Sequence, residues 1–230
     1  ACDTEKVRSA MKPILPAAVL LFSLTSIVHA AFDSATVSGL GARNIGSATM
    51  SGRVAALTAV NERDGKLTVY VGAASGGVWK SMDGGTTYKP VFDKQPVQSI
   101  GALAVDPSNS KTLWVGTGET WVRNSVSVGD GIYRSTDGGD NWTRMGLAES
   151  ERISRIVVHP GNGKIVYACV PGKLWSDSAE RGLYQTRDGG KTWTQILKGA
   201  NLSTGCASLS MDAKNPAVLP SWSKIPPIVT

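Results

Sequence analysis

The chain has few of the residues from which metal centres and nucleophile-based active sites are built. Among its 230 residues there are two histidines and three cysteines, and no CxxC pair occurs. Because structural zinc takes four Cys or His ligands at characteristic spacings, a zinc site is excluded, and we expect neither a metal nor a cofactor. The motifs G-x-S-x-G, G-x-x-x-x-G-K-[ST] and H-E-x-x-H are also absent. Carboxylates remain as the basis for an enzymatic reaction.

The chain also lacks a clustered excess of charge. Its 24 Lys and Arg residues exceed its 18 Asp and Glu residues by a formal net charge of +6, but the basic residues are scattered singly. Nucleic-acid-binding surfaces concentrate Lys and Arg on one face, often beside stacking aromatic side chains, so we expect no nucleic-acid partner. With 41% hydrophobic residues, 26 glycines and 11 prolines, the composition predicts a globular protein with many tight turns, which favours β structure.

One long apolar run lies near the N-terminus. Met11 and Lys12 supply a start and a positive charge, and residues 14–28 are almost entirely apolar. The run is shorter than the roughly 20 residues that a bilayer-spanning helix needs, and small or apolar residues occupy the cleavage positions that follow. The pattern predicts a signal peptide at residues 11–30, preceded by an upstream extension of residues 1–10. We therefore expect a secreted or periplasmic protein with no stable membrane span after cleavage.

A short pattern of a hydroxyl residue, an aspartate, a glycine and an aromatic residue recurs along the chain. Its copies are Ser81, Asp83, Gly85 and Tyr88; Ser135, Asp137, Gly139 and Trp142; and Thr186, Asp188, Gly190 and Trp193. The aspartates are 54 and then 51 residues apart. A short carboxylate can accept backbone N–H groups within a turn, glycine can take the positive φ that such turns need, and the ring can cover the turn. We predict a structural hairpin turn rather than a calcium loop, whose ligand pattern is absent.

Four apolar runs separated by turn residues occupy each period of this repeat. Short runs of β-branched and aromatic residues between turns are typical of antiparallel strands. The predicted strands are residues 53–60, 67–73, 77–82 and 87–92; 100–105, 111–116, 131–136 and 141–146; 153–158, 164–170, 182–187 and 192–197; and the start of a fourth set at 207–211. Four-stranded units at periods of about fifty residues are typical of propeller blades. The sequence therefore predicts an all-β fold, a β-propeller of four-stranded antiparallel blades.

The repeat supports about three and a half blades, whereas a closed propeller needs at least four. We place a partial propeller at residues 31–219, with blades at about 47–92, 97–146 and 150–197 and the start of a fourth at 204–219. Residues 220–230 depart from the pattern, since their prolines cannot donate to a strand ladder, and we interpret them as a truncated tail. An incomplete ring leaves open sheet edges, which predicts self-association.

The repeated pattern resembles the Asp-box, or BNR repeat, with Tyr88 in place of Trp and Asn141 in place of Thr. Over residues 38–219 the chain is similar to the N-terminal part of bacterial secreted propellers grouped with the sortilin N-terminal domain. The segments that carry this similarity are residues 43–46, 50–53, 71–79 and 115–119. The resemblance implies a propeller whose Asp-boxes are structural and lie on the face opposite the ligand site. Such proteins are commonly labelled glycosyl hydrolases by their BNR repeats.

In a four-stranded blade, the loops between the second and third strands share one face with the connections between blades. Binding residues concentrate on long loops of a rigid scaffold, and the loops at 117–130 and 171–181 are longer than their counterpart at 74–76. Arg53 and Arg155 start innermost strands at positions that we take as matching, so they can clamp a carboxylate; a solvated salt bridge is the alternative. The tryptophans of these loops contact ligand or pack within the loops. The candidate ligand-binding residues are Arg53, Trp121, Arg123, Arg155, Trp175 and Arg181.

Two carboxylates on the same predicted face, Glu119 and Asp130, are weak candidates for the acid and base of glycoside hydrolysis. The alternative is that each accepts backbone N–H groups within its loop. A sialidase is not expected, because the arginine triad and the RIP motif of such enzymes are missing. His159 precedes Pro and Gly between two predicted strands, so we expect a turn residue rather than a catalytic one.

Cys169 and Cys206 fall in strands of different predicted blades. Because a disulfide would have to cross between blades, and Cys commonly acts as a small hydrophobe, we expect two buried thiols. The function that the sequence favours is a secreted propeller module that binds a peptide, protein or glycan through its channel-side loops. The alternatives are a glycoside hydrolase similar to the xyloglucanase-like propeller enzymes, and a factor that scaffolds assembly in the cell envelope.

Overall fold

The computed structural model describes residues 53–62, 64–122, 126–212 and 215–216. The predicted extension, signal peptide and tail lie outside the described residues, and so does Arg123. Within the described residues, the regular structure consists of strands and one 3₁₀ turn, Ala148–Ser150.

The strands form three four-stranded antiparallel sheets, each made of consecutive strands. The first sheet contains β1 (Val54–Asn61), β2 (Leu67–Ala73), β3 (Gly77–Ser81) and β4 (Lys89–Pro90). The second contains β5 (Ile100–Asp106), β6 (Asn109–Thr117), β7 (Ile132–Ser135) and β8 (Thr143–Arg144). The third contains β9 (Arg155–Val158), β10 (Val166–Val170), β11 (Gly182–Thr186) and β12 (Thr194–Lys198). We call these sheets blades 1, 2 and 3, because their strand order is that of propeller blades.

The predicted fold class, an all-β propeller of four-stranded antiparallel blades, is confirmed. Each predicted strand of the three blades overlaps an observed one, but the fourth strands of blades 1 and 2 are two residues long. These strands are outermost, and Pro90 has no N–H with which to continue the ladder. The strand predicted at 207–211 is also shorter, since within it only Leu209 forms a bridge.

Apolar side chains fill the seams between neighbouring blades. In the seam between blades 1 and 2, the ring of Phe92 meets Tyr133 and Trp142 edge to face, each at 5.2 Å between centroids. Trp114, with no exposed surface, lies in the seam between blades 2 and 3. A third seam, beyond blade 3, contains Tyr167, Cys169, Leu183, Cys206 and Leu209. The blades therefore stack through continuous apolar cores, and the segment around Cys206 covers the outer side of blade 3.

Each Asp-box turn is held by one recurring set of hydrogen bonds. In blade 1, the Ser81 hydroxyl donates to Asp83 Oδ1 at 2.7 Å and accepts the Gly85 N–H at 2.8 Å. Asp83 also accepts the backbone N–H of Thr87 at 2.9 Å and its hydroxyl at 2.6 Å. The second glycine has a φ of 99°, a conformation that glycine adopts without strain. The carboxylate thus closes the turn between the third and fourth strands.

The other two turns repeat this geometry, and the charged form of their aspartates is favoured. In blade 2, the Asn141 backbone N–H and side-chain amide donate to Asp137 at 2.9 and 2.8 Å, and they lower the pKa of Asp137 to about 2. Donation from the Thr87 and Thr192 side chains is the largest cause that lowers the pKa of Asp83 and of Asp188. Since Asn141 is bonded here, the substitution of Thr by Asn leaves the Asp-box intact.

The aromatic residue of the Asp-box also joins neighbouring blades. Trp142 Nε1 donates to the Val91 carbonyl at 2.8 Å, and Trp193 Nε1 donates to the Met145 carbonyl at 2.7 Å. Each acceptor follows the fourth strand of the preceding blade. The sequence predicts only that the ring covers its own turn, so this connection between blades is an additional finding.

Basic residues of the third strands make the reciprocal contact. Lys80 Nζ and the Tyr70 hydroxyl both donate to the Gly138 carbonyl of the next Asp-box, at 2.9 and 3.1 Å. One blade further along, Arg134 Nη1 donates to the Gly189 carbonyl at 3.2 Å. Burial of the Tyr70 ring raises the pKa of its hydroxyl to about 12. The Asp-box turns therefore serve both their own hairpin and the seam with the preceding blade.

The expectation of two free thiols is wrong, because Cys169 and Cys206 form a disulfide with a Cα–Cα distance of 5.1 Å. Cys169 lies in β10, and Cys206 begins the segment that covers blade 3. The Cys206 N–H donates to the Val170 carbonyl at 3.3 Å, which brings the two backbones together across the seam. The sequence argued against a disulfide because the bond would have to cross between blades. Blade stacking brings the two cysteines together, so the bond crosses the seam.

Candidate functional site

Loops and blade connections form one face of the blades, which we call the upper face. Its described residues are loops 74–76, 118–122 with 126–131, and 171–181, and connections 91–99, 145–154 and 199–205. Backbone hydrogen bonds fix the longer loops to the connections: Gly118 donates to Ser99 at 2.8 Å, and Ser178 donates to Leu202 at 3.1 Å. The long loops therefore rest on the connections, which gives their side chains a defined position.

Three charged residues from three blades meet on the upper face. Arg53, just before β1, forms an ion pair through Nη2 with the carboxylate of Glu119 in the loop of blade 2. Arg152, just before β9, donates from Nε to the Glu119 carbonyl at 3.0 Å. Glu119 and Arg152 are only 1% and 2% exposed, whereas the Arg53 side chain is 26% exposed. Glu119 thus connects two arginines, one through its side chain and one through its backbone.

Trp121 extends this cluster to the surface. Its ring lies under the Arg53 guanidinium, 4.8 Å from the centroid, and the residue is 67% exposed. A cation over an indole face is attracted by the ring quadrupole, worth roughly 0.5–1 kcal/mol at an exposed site. The ring is therefore not buried within its own loop. Arg53 is thereby held on two sides, by a carboxylate and by an aromatic ring.

The strand register corrects the match between Arg53 and Arg155. Gly72 and Cys169 each pair with the residue five positions before the aspartate of their Asp-box, so they are equivalent. Gly72 pairs with Ala56, and Cys169 pairs with Arg155. Arg155 is therefore equivalent to Ala56, three residues beyond the position of Arg53. It is exposed on β9, and the equivalent of Arg53 is Arg152.

Arg152 is the upper-face residue that the sequence analysis missed. The signal was present in the segments Arg53-Val54-Ala55, Ser99-Ile100-Gly101 and Arg152-Ile153-Ser154, which align without gaps ahead of each blade. Matching Arg53 with Arg155 instead placed the equivalent position three residues too far along the chain. The paired guanidiniums do not converge on an open carboxylate site either, because Glu119 already lies between them.

Asp130 belongs to the same loop as Glu119 but to a different set of contacts. Its Oδ2 accepts the Tyr133 hydroxyl at 2.7 Å, and its backbone N–H donates to the Thr117 hydroxyl at 2.9 Å. Burial and this hydrogen bond raise the pKa of Tyr133. Asp130 therefore closes the base of the loop, but its carboxylate accepts a side-chain hydroxyl rather than the backbone N–H groups that the sequence offered as the alternative.

The loop of blade 3 is organised around Arg181. This residue is 5% exposed and donates to the Pro171 carbonyl at 2.8 Å, to the Ser176 carbonyl at 3.1 Å, and also to the Lys173 carbonyl. Burial lowers the pKa of its guanidinium. Trp175, at the tip of the same loop, is 54% exposed. Arg181 thus shapes the loop from inside, while Trp175 is presented on the surface.

A cleft of about 650 Å³ lies between blades 1 and 2 on the Asp-box face. Its lining mixes basic and acidic side chains, among them Lys66, Lys80, Glu62 and Asp137. Lys80 is already bonded to the Asp-box of blade 2. The cleft lies on the Asp-box face, where Lys80 serves the seam and Asp137 serves the hairpin of blade 2.

Two searches over the described part of the chain gave negative results. No group of three or more His, Cys, Asp or Glu side chains there is arranged to hold a metal ion. No helix within the same residues is long and apolar enough to span a membrane.

Comparison with protein families and curated proteins gives consistent matches. The family model Sortilin-Vps10, described as "Sortilin, neurotensin receptor 3", matches residues 76–219. A xyloglucanase of Hypocrea jecorina is 25% identical over 174 residues, which are 66% of this chain and 20% of that protein. A probable oligoxyloglucan-reducing end-specific xyloglucanase of Neosartorya fischeri is 33% identical over 101 residues, 41% of this chain and 10% of that protein. The chain thus spans a fifth or less of the length of these relatives.

Two solved structures show the same fold. An ancestral GH74 enzyme superposes with a TM-score of 0.60 at 23% identity and covers 78% of this chain and 22% of that chain. The GH74 enzyme of Niastella koreensis superposes with a TM-score of 0.52 at 23% identity and covers 66% of this chain and 22% of that chain. At these identities the likeness concerns the fold alone.

Proposed function

Since the chain belongs to the sortilin–Vps10 family, we propose that it contributes a ligand-binding surface, its upper face, to a propeller that recognises a peptide, protein or glycan. The observation that carries the proposal is the exposed Trp121 ring under a guanidinium that a buried carboxylate fixes. Tryptophan and arginine dominate binding energies where they are held rigidly on a surface. Here both side chains are already oriented, so a ligand loses little free energy in ordering them.

The charges of the cluster indicate what kind of group would contact it. Arg53 is paired with Glu119, and Arg152 Nη1 donates to Glu151 at 2.6 Å, so two cations face two anions. A ligand carboxylate at Arg53 would compete with the Glu119 carboxylate for the same guanidinium, and displacing Glu119 would leave a buried charge without its partner. The arrangement favours an uncharged contact surface, such as the apolar face of a sugar ring or an apolar peptide side chain, over an acidic group.

Trp175 supplies a second contact on the neighbouring loop. It is 54% exposed, and its loop is held by three donations from Arg181 to backbone carbonyls. Two exposed indoles on adjacent blades suit an extended ligand that touches more than one loop. The matched relatives are named xyloglucanases, so oligosaccharides of xyloglucan are the first glycans to test.

The test is a glycan and peptide array followed by titration of the best ligand. We expect Trp121→Ala to weaken binding at least about tenfold, the size of a moderate hot spot, and Trp175→Ala to weaken it less. Tyr88→Ala is the matched control, because Tyr88 is an aromatic residue on the Asp-box face with 40% exposure. Equal losses for Trp121→Ala and Tyr88→Ala would show that the upper face is not the binding surface.

A glycoside hydrolase remains the alternative, because curated relatives carry that activity in their names. The local geometry does not favour it. A general acid must come within hydrogen-bond reach of the leaving group, whereas Glu119 is 1% exposed and its carboxylate is engaged by Arg53. Asp130 is engaged by Tyr133 at 2.7 Å. We therefore expect no reducing sugar from xyloglucan; release that disappears in Asp130→Asn would favour the hydrolase.

A further inference from the structure

Arg152 is the most deeply buried basic side chain among the described residues of the upper face, and no role in ligand contact can be given to it. It is 2% exposed, so a ligand on the surface does not reach it. Its Nε donates to the Glu119 carbonyl at 3.0 Å, and its Nη1 donates to Glu151 at 2.6 Å. A buried cation needs such partners to offset its lost hydration. Glu119 lies in the loop of blade 2, and Glu151 lies in the connection that packs against this loop.

A chain of direct contacts leads from Arg152 to the exposed ring. Arg152 fixes the backbone of Glu119, the Glu119 carboxylate holds Arg53, and the Arg53 guanidinium lies 4.8 Å from the Trp121 ring centroid. Each step joins a different element: the connection before blade 3, the loop of blade 2 and the start of blade 1. The orientation of the surface tryptophan therefore depends on a group that lies on another blade.

The connection that carries Arg152 is pressed against this loop. The Glu151 carbonyl accepts the Gly129 N–H at 2.7 Å, and a Cβ at Gly118 would lie 1.9 Å from the same carbonyl oxygen. Glu151 itself has a φ of 53°, which non-glycine residues rarely adopt. Strained backbone of this kind persists where the surroundings fix it, often beside binding sites. The loop and the connection are therefore in close backbone contact at Gly118, Gly129 and Glu151.

Stacking of the blades does not by itself require arginine at this position. Arg53 and Ser99 are equivalent, since their carbonyls accept the N–H of Ala74 and Gly118, the residues that follow the second strands. Ahead of the fourth unit, Gly205 holds the same place, because Cys206 donates to Val170 as Ile153 donates to Thr117. Serine and glycine therefore suffice for blade stacking at two of the four positions. The arginine side chain at position 152 is not required by the stacking itself.

We propose that Arg152 is a positioning residue for the upper-face binding site and sets the orientation of Trp121 through Glu119 and Arg53. This inference rests on the proposed function, because the surface that Arg152 orders is the one to which we assign ligand binding. It adds a residue that touches no ligand and lies on a third blade. Replacing it should disturb the tryptophan before it disturbs the blades.

The experiment uses the full chain labelled with 5-fluorotryptophan and observed by ¹⁹F NMR. Trp121→Phe and Trp142→Phe assign the two resonances of interest. In Arg152→Gln we expect the Trp121 resonance to move by more than its linewidth, in the same direction as in Glu119→Gln, while the Trp142 resonance stays in place. Arg155→Gln is the matched control, because Arg155 is an exposed arginine three residues away and outside the chain of contacts.

The ¹⁹F NMR measurement does not need a ligand, so it tests the proposal even if the glycan and peptide arrays identify none. A folded Arg152→Gln variant with an unmoved Trp121 resonance would refute the proposal. Equal movement of Trp142 would assign Arg152 a general structural role instead. If Arg152→Gln fails to fold, Arg152→Lys, which keeps the charge but not the planar donor geometry, is measured in the same way. Where a ligand is available, we expect about a tenfold loss of affinity in Arg152→Gln and none in Arg155→Gln.

Discussion

Removal of the disulfide gives the sharpest test of how the blades are held together. Cys169 and Cys206 are separated by 37 residues, so the bond closes a loop that contains the third and fourth strands of blade 3. Loop-closure entropy for this length corresponds to about 4 kcal/mol at 25 °C. Because Cys169 and Cys206 are 0% and 7% exposed, the bond is shielded from solvent and from exchange in the folded protein. We therefore expect the full effect only when both cysteines are replaced or reduced after unfolding.

The variant to make is Cys169→Ala with Cys206→Ala, compared with the parent by urea unfolding. We expect its free energy of unfolding to fall by about 2–4 kcal/mol, the usual range for a native disulfide. The loss should concentrate in the third seam, so hydrogen exchange of Cys206–Leu209 should rise before that of blade 1. Parent protein reduced while unfolded should show the same lowered midpoint.

Thiol counting supplies the independent check. Denatured, unreduced protein should show no reactive thiol from Cys169 or Cys206, and reduction should release two. Two reactive thiols before reduction would restore the expectation of free cysteines that the sequence favoured. An unchanged urea midpoint in the double variant would refute the argument that the bond constrains the blade 3 seam.

Four further predictions concern the Asp-boxes, their contacts and the N-terminus. Since the folded pKa of Asp137 is about 2 and its unfolded value is about 3.9, its stabilisation is present above pH 4 and is lost as the pH falls towards 2; the urea midpoint should show this, and Asp137→Asn should flatten the dependence. The pKa of Tyr70 is raised to about 12, so stability should fall as the pH rises from 10 to 12, and less so in Tyr70→Phe. Trp142→Phe loses the 2.8 Å donation to Val91 and should destabilise by about 1 kcal/mol, whereas Tyr88→Phe should change the midpoint little. If the signal peptide is removed as predicted, N-terminal sequencing of the exported protein should start at Ala31; retention of Met11 would contradict it.

The blades could be predicted because their information is local and repeated. Asp83, Asp137 and Asp188 mark the same turn three times, and apolar runs at fixed distances before each turn give the first three strands. The fourth strands of blades 1 and 2 were predicted too long, since Pro90 removes a donor in the first and an outermost strand has no further partner to extend it. Local patterns thus define a blade well and its outer edge poorly.

Contacts between blades were harder to foresee, because they depend on how one repeat stacks on the next. The Trp142 bond to Val91 and the disulfide each join residues of two neighbouring blades. These residues can be recognised as neighbours only when the register between the two blades is known. The signal for the disulfide was present nonetheless. Cys206 aligns with Ile153, whose N–H meets Thr117 on the second strand of the preceding blade. The same alignment would have paired Arg152, rather than Arg155, with Arg53.

The two faces of the blades differ in what their polar groups are bonded to. On the Asp-box face, each carboxylate is bonded within its own turn, and the turn carbonyls of Gly138 and Gly189 accept donors from the preceding blade, so these groups stabilise hairpins and seams. On the upper face, the buried charges Glu119 and Arg152 lead outward to Arg53 and an exposed indole. Burying charge is costly unless the charge is paired and hydrogen-bonded, and here the partners of the buried charges also fix the geometry of a surface side chain. The residue equivalent to Arg152 differs between blades, whereas the Asp-box pattern is repeated. Ligand recognition on the upper face can therefore change without loss of the blade stacking that the Asp-box face maintains.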